Sequence, residues 1–125
     1  MKVILSIKPE FANKIFNGSK KFEFRRRLYK NKKVRAVIVY ASAPISKVIG
    51  EFEIENVIHG ELDSLWSSTS RYSGISQEYY LDYFKGKETG YAIAVKKAKL
   101  YDKPVCIKEK FGIKPPQSFA YVQTH

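Results

Sequence analysis

The hydrophobic period of this chain changes at Gly18 from that of a helix to that of a strand, and the change constrains the first quarter of the molecule. Before it, Phe11, Ala12, Ile15 and Phe16 recur at helical spacing behind Pro9, whose missing N–H costs nothing at a helix start. Asn17-Gly18 is a C-terminal stop signal. After it, Phe22 and Phe24 point one way while Lys21, Glu23, Arg25 and Arg27 point the other. That is the pattern of a half-buried strand with one ionic face.

Further strands follow. Residues 2–7, "KVILSI", and 35–42, "RAVIVYAS", read as strands, the second β-branched and buried. In residues 47–57 Phe52 and Ile54 alternate with Glu51, Glu53 and Glu55, and Gly50 marks a candidate bulge. Leu62, Leu65, Trp66 and Thr69 predict a short helix, and Ser76 caps a second one carrying Tyr79, Tyr80, Tyr83 and Phe84. Trp66 and the tyrosines, at helical spacing, read as core. Residues 90–95 return to strand, and Pro115-Pro116 turn the chain before a last strand at 119–122.

No internal repeat, linker or low-complexity segment divides the chain, so residues 1–125 are expected to form one domain. At this length folding buries roughly two-thirds of the surface that the unfolded chain exposes. The expected class is α+β. Short strands interrupted by helices argue for a small closed β-barrel with the helices inserted between strands, because closure removes exposed edges.

The formal net charge of +11 is unevenly distributed. Residues 1–35 carry 12 basic and 2 acidic side chains, residues 36–92 carry 4 and 8, and residues 93–125 carry 7 and 2. Basic ends around an acidic middle favour an electropositive face for a polyanion. The contiguous Arg25, Arg26 and Arg27 strengthen that reading, since guanidinium matches phosphate geometry. Lys30, Lys32 and Lys33 read as a solvated turn that would extend a phosphate track. Cys106 is the only cysteine, which rules out an intramolecular disulfide. With His59 and His125 the only histidines, a conventional zinc site lacks ligands, so no metal is expected. No partner for His59 can be argued, and Cys106 reads as a small apolar residue. Lys8 and Pro9 interrupt the apolar start well short of a signal peptide or membrane span. A cytoplasmic protein with no membrane association is expected.

Gly18-x-Lys20-x-x-Glu23-x-Arg25 resembles the signature of the ASCH domain, a branch of the PUA-like superfamily. "LSIKPEFANKIFNG" before the motif, and "PISKVIGEFEIENV", "FKGKETGYAI" and "PPQSFAYV" after it, are similar to that family too. The resemblance implies a small PUA-like barrel whose cleft, near the motif, holds RNA or a nucleotide-like ligand, with hydrolysis in some branches. The expected function is RNA binding without a cofactor, the RNA being single-stranded or structured with unpaired bases. Lys20, Arg25, Arg26 and Arg27 would meet phosphates, Glu23 would orient the cations or read a base donor, and Tyr72, beside Arg71, would stack on a base.

Two rival readings stand beside it. One is a small hydrolase acting on RNA or on a modified nucleoside, with Lys20 and Glu23 the candidate catalytic groups. An amidohydrolase branch of the family uses a lysine, a threonine and a glutamate; its lysine matches Lys20, but Glu23 occupies the threonine position. A ribonuclease needs an acid and a base at the scissile phosphate. The other is a transcription-related regulatory or interaction domain, although no basic recognition helix is apparent. A purely structural role for Glu23, as a buried ion pair closing one end of the barrel, is the bland alternative.

Overall fold

In the computed structural model, which describes residues 1–123, β1 (Lys2–Ile7) and β3 (Ala36–Ala41) run parallel within one six-stranded sheet. Its order is β2 (Phe22–Arg25), β5 (Thr89–Val105), β4 (Lys47–Glu61), β3, β1, β6 (Phe119–Val122), and the other neighbouring pairs are antiparallel. Helix α1 (Pro9–Phe16) follows β1, α2 (Leu62–Thr69) and α3 (Gln77–Tyr83) fill the β4–β5 connection, and α4 (Ile107–Phe111) follows β5.

The period-two patterns sort side chains onto two faces. Val3, Leu5, Val37 and Val39 pack with Ala12 and Ile15 of α1, and with Phe52 and Ile93, on one side. Ile4, Ile38 and Tyr40 pack with Val48 and Ile107 on the other. Both faces of β3 are therefore covered, which is why its sequence is apolar without interruption. A third cluster, Phe24, Leu65, Tyr80, Phe84 and Ala92, forms where α2 and α3 meet β2 and β5. Burying each of these large side chains contributes roughly 1.5–3 kcal/mol.

Local signals behave as their chemistry demands. Pro9 opens α1, and the Ser76 hydroxyl accepts the Tyr79 N–H at 3.0 Å to cap α3. The pairing of β4 with β5 shifts register between Val48 and Gly50, the candidate bulge.

The expected barrel is not formed: the sheet stays open, with β2 and β6 at its edges. Strand lengths explain this. β2 and β6 have 4 residues each, whereas β4 and β5 have 15 and 17 and pair antiparallel with three register shifts. A side chain spans the gap between the β2 edge and β1 instead of a backbone ladder, Arg25 Nη2 donating to the Ser6 carbonyl at 3.0 Å.

Two boundaries also differ from the sequence reading. β5 runs far past residue 95 because Lys97 and Lys99 lie opposite Glu53 and Glu51, cross-strand charge pairs that hold a polar segment in the sheet. β2 stops at Arg25 instead of continuing to Arg27, and Arg26 Nη1 donates to the Tyr83 and Lys85 carbonyls at 2.8 and 2.9 Å. Arg26 thus ties the end of α3 to the β2 edge. Among the described residues, no helix is long and apolar enough to cross a membrane. His125 lies outside the described residues.

Candidate functional site

The turn after α1 sets up the site. Gly18 adopts φ +88°, and the Lys20 N–H then donates to the Lys14 carbonyl at 3.0 Å while the Lys21 N–H donates to the Tyr72 carbonyl at 2.8 Å. These bonds turn the Lys20 side chain inward, where it is only 2% exposed. Its Nζ lies 5.3 Å from the ring centre of Phe11 and 5.0 Å from that of Phe24, and it donates to the Ser73 carbonyl. Gly74, at φ +70°, packs on the lysine stem so closely that a Cβ there would sit 2.6 Å from Lys20 Cβ. Only glycine satisfies both the backbone angle and the space. Lys14 Nζ fixes the same loop by donating to the Gly74 carbonyl at 3.0 Å.

Burial pushes the Lys20 pKa down from 10.5 to about 8; Glu23 pulls it partly back up and Lys14 lowers it further. Glu23 and Arg25, two apart on β2, share a face as their spacing requires. Arg25 Nε lies 3.3 Å from Glu23 Oε2, an ion pair whose geometry leaves Nε without a hydrogen-bond acceptor among the described residues. Lys20 makes no ion pair with Glu23 among those residues.

These three side chains line a pocket of about 170 Å³. Phe11, Phe24 and Ile75 give it an apolar wall; Ser6, Tyr79 and Tyr83 contribute hydroxyls. Two of the hydroxyls are engaged, Ser6 donating to the Pro116 carbonyl at 2.6 Å and Tyr83 to the Phe24 carbonyl at 3.1 Å. Burial raises the Tyr83 pKa and keeps that hydroxyl a donor. An ammonium, a guanidinium and a carboxylate beside an aromatic wall suit a ligand with an anionic group and a planar apolar part. Among the described residues, no three His, Cys, Asp or Glu side chains converge as a metal site.

The expected site residues separate into three places. Lys20, Glu23 and Arg25 converge on the pocket. Arg26 and Arg27 border a neighbouring trough with Arg25, Tyr83 and Lys87. Tyr72 stands outside both, 41% exposed, with Lys21 Nζ 4.6 Å and the Arg71 guanidinium 5.5 Å from its ring centre. Their helical spacing predicts Tyr79, Tyr80 and Tyr83 in the core, yet Tyr79 and Tyr83 line the pocket and of the three only Tyr80 is buried, at 1% exposure. The signal was present: Tyr79 and Tyr83 are four apart, as are Tyr80 and Phe84, so they mark two faces of α3. The Ser73-Gly74 clamp, more than fifty residues from Lys20, carried no such signal.

Residues 5–100 match the family model of the ASCH domain. Over 124 residues the chain is 31% identical to the ASCH domain-containing ribonuclease of Zymomonas mobilis, covering 96% of this chain and 83% of that protein. It is 33% identical over 121 residues to the large ribosomal subunit protein uL22 of Ureaplasma parvum, covering 97% of this chain but 39% of that protein. The chain therefore spans well under half of that relative's length. The crystal structure of ASCH from Zymomonas mobilis superposes with a TM-score of 0.89 at 32% identity, over 98% of this chain and 87% of that one.

Proposed function

This chain belongs to the ASCH domain family, and from that premise we propose that it binds single-stranded RNA in the Lys20 pocket and cleaves it there. The observation that carries the reading is Lys20 itself, a buried ammonium with one carbonyl acceptor, its pKa lowered to about 8, beside Glu23 and Arg25. A group of that pKa is charged at neutral pH yet gives up its proton readily, as a general acid must. The naming of the Zymomonas relative as a ribonuclease supports the substrate class.

In this reading Lys20 and Arg25 hold the scissile phosphate. Glu23 accepts the proton of the ribose 2′-hydroxyl as that oxygen bonds to phosphorus. The bond from phosphorus to the 5′-oxygen breaks, Lys20 supplies the proton to the leaving oxygen, and a 2′,3′-cyclic phosphate remains. Arg26 and Arg27 border the path of the next phosphate, and Tyr72 with Lys21 offers a stacking surface outside the pocket. Acyl transfer is less well supported, because Glu23 stands where a hydroxyl nucleophile would be and the Ser6 hydroxyl is committed to Pro116. We read residues 1–125 as one transferable domain, in keeping with the match to 39% of a ribosomal protein.

Incubation with an unstructured RNA and with its DNA counterpart tests this. RNA should yield cyclic-phosphate ends, DNA should be bound but uncut, and Lys20→Met should abolish cutting. RNA bound and never cut would reduce the function to binding, a reading favoured by the Arg25 contact that occupies one Glu23 oxygen. RNA neither bound nor cut would remove both.

A further inference from the structure

A second feature lies across the sheet from the pocket. Tyr91 of β5 is the register partner of Arg25 on β2 and of His59 on β4, so Arg25, Tyr91 and His59 form one cross-strand row on a single face. His59 stacks on Tyr91 with ring centres 4.2 Å apart and planes 10° apart, and its Nε2 is 3.2 Å from the Thr89 hydroxyl. These contacts hold the Tyr91 ring in place. Tyr91 lines a groove of about 740 Å³ between the segment after β2 and the middle of β4.

The walls of that groove are built. β4 shifts register against β5 on both sides of Ile54, at Glu53/Ile54 and Ile54/Asn56, and such bulges re-aim side chains locally. Opposite, the Tyr121 hydroxyl accepts the Lys30 and Asn31 N–H groups at 2.9 and 3.0 Å, the Asn31 side chain accepts the Lys33 N–H at 2.8 Å, and Arg35 Nη1 donates to the Lys32 carbonyl at 3.1 Å. Lys30, Lys32 and Arg35 of this ordered turn line the groove, as do Glu55 and Asn56 of β4. The lining of the groove therefore combines aromatic rings, three cations, a carboxylate and side-chain amides.

We propose that this groove is a second nucleotide subsite for the same RNA strand, in which a base packs on Tyr91 and the flanking phosphates meet Lys30, Lys32 and Arg35. The inference rests on RNA being the ligand of the Lys20 pocket. Glu55 and Asn56 pair with the base edge, and Arg25, common to the row and to the pocket, marks where the strand passes from one subsite to the other. Three phosphate contacts on a single strand add a salt slope of about −2 in log K against log salt, and the stacked base adds a salt-independent part.

The test compares a trinucleotide with an unstructured decanucleotide on the full chain, by fluorescence anisotropy over a salt series. Wild type should hold the longer RNA at least tenfold more tightly. Lys30→Glu with Lys32→Glu, both exposed positions, should collapse that ratio to within threefold. Lys103→Glu with Lys108→Glu, the same charge change near the end of β5 and on α4, should leave it near the wild-type value. Tyr91→Leu should lower the ratio without changing the salt slope. If both double variants reduce the ratio equally, the effect is diffuse charge and the subsite is wrong; if neither does while wild type binds RNA, the subsite is wrong and the Lys20 reading stands. Failure of wild type to bind either RNA overturns both.

Discussion

Replacing Lys20 by methionine should stabilise the protein while destroying its function. The lysine pKa falls from 10.5 to about 8 on folding, mainly through burial. At 1.36 kcal/mol per unit, keeping the ammonium buried at neutral pH costs about 3 kcal/mol. Methionine matches the stem in length, fills the space between Phe11 and Phe24, and removes that cost. It also leaves the Ser73 carbonyl without its donor, a loss of about 1–2 kcal/mol. The net gain is about 1–2 kcal/mol, or roughly 3–6 °C in melting temperature for a domain of this size. The pH dependence checks the cause. The unfolded chain holds the lysine proton up to pH 10.5 and the folded chain releases it near 8, so between those values the unfolded state binds more protons and wild-type stability rises with pH. The methionine variant lacks that rise. Tyr83, on the same pocket and with its pKa raised by burial, titrates in both proteins, so the difference between them isolates Lys20. Urea unfolding followed by circular dichroism at pH 7 and pH 9, with RNA titrations alongside, measures each quantity. A variant less stable than wild type at pH 7, with an unchanged pH slope, would refute the account of Lys20 as a charge buried at a cost.

Other expectations follow from the same contacts. Gly74→Ala forces a side chain into a left-handed backbone position and against the Lys20 stem; it should lower stability by about 1–3 kcal/mol and weaken RNA binding at least tenfold, and a wild-type melting curve would contradict the clamp. Arg25→Ala should weaken RNA binding, whereas Arg26→Ala should chiefly lower the melting temperature by freeing the end of α3; equal losses of binding would mean that the arginines act as a diffuse patch. Glu23→Gln keeps the shape but not the base, so RNA cleavage should fall at least a hundredfold in a protein that still folds, and a loss of several kcal/mol in stability with chemistry intact would assign Glu23 a structural role. An anion in the pocket should raise the Lys20 pKa, so RNA binding at pH 8.5 should take up protons, which calorimetry in buffers of different ionisation enthalpy detects; no uptake would place the phosphate elsewhere.

How much of this was legible depended on how far apart the cooperating residues lie in the chain. Glu23 and Arg25 share a face because they are two apart on a strand whose pairing with β5 runs in unbroken register. The apolar run of β3 announced a strand covered on both sides. Closure of the sheet was not legible, because it turns on the unequal lengths of β4 and β5 and on register shifts within their pairing. The second half of β5, with its lysines, carries no strand assignment in the sequence reading, and in the fold it lies opposite Glu51 and Glu53. The inward turn of Lys20 depends on Ser73 and Gly74, whose own stretch of serines and glycine looks like an ordinary surface loop.

The single carboxylate in "GSKKFEFRRR" has a narrower role than neutralising the cations around it. Glu23 forms its ion pair with Arg25 and not with Lys20, so among the described residues the ammonium that folding has desolvated has the Ser73 carbonyl as its hydrogen-bond partner. A structural ion pair would have placed the carboxylate on the more deeply buried cation, where the Coulombic return is larger. The observed pairing does the opposite: it holds the guanidinium, which also reaches Ser6 across the open edge of the sheet, and leaves Lys20 only a longer-range attraction to Glu23. In the proposed function, an anion entering the pocket would give this desolvated ammonium an opposite charge at close range, so part of the cost of burying it would return on binding.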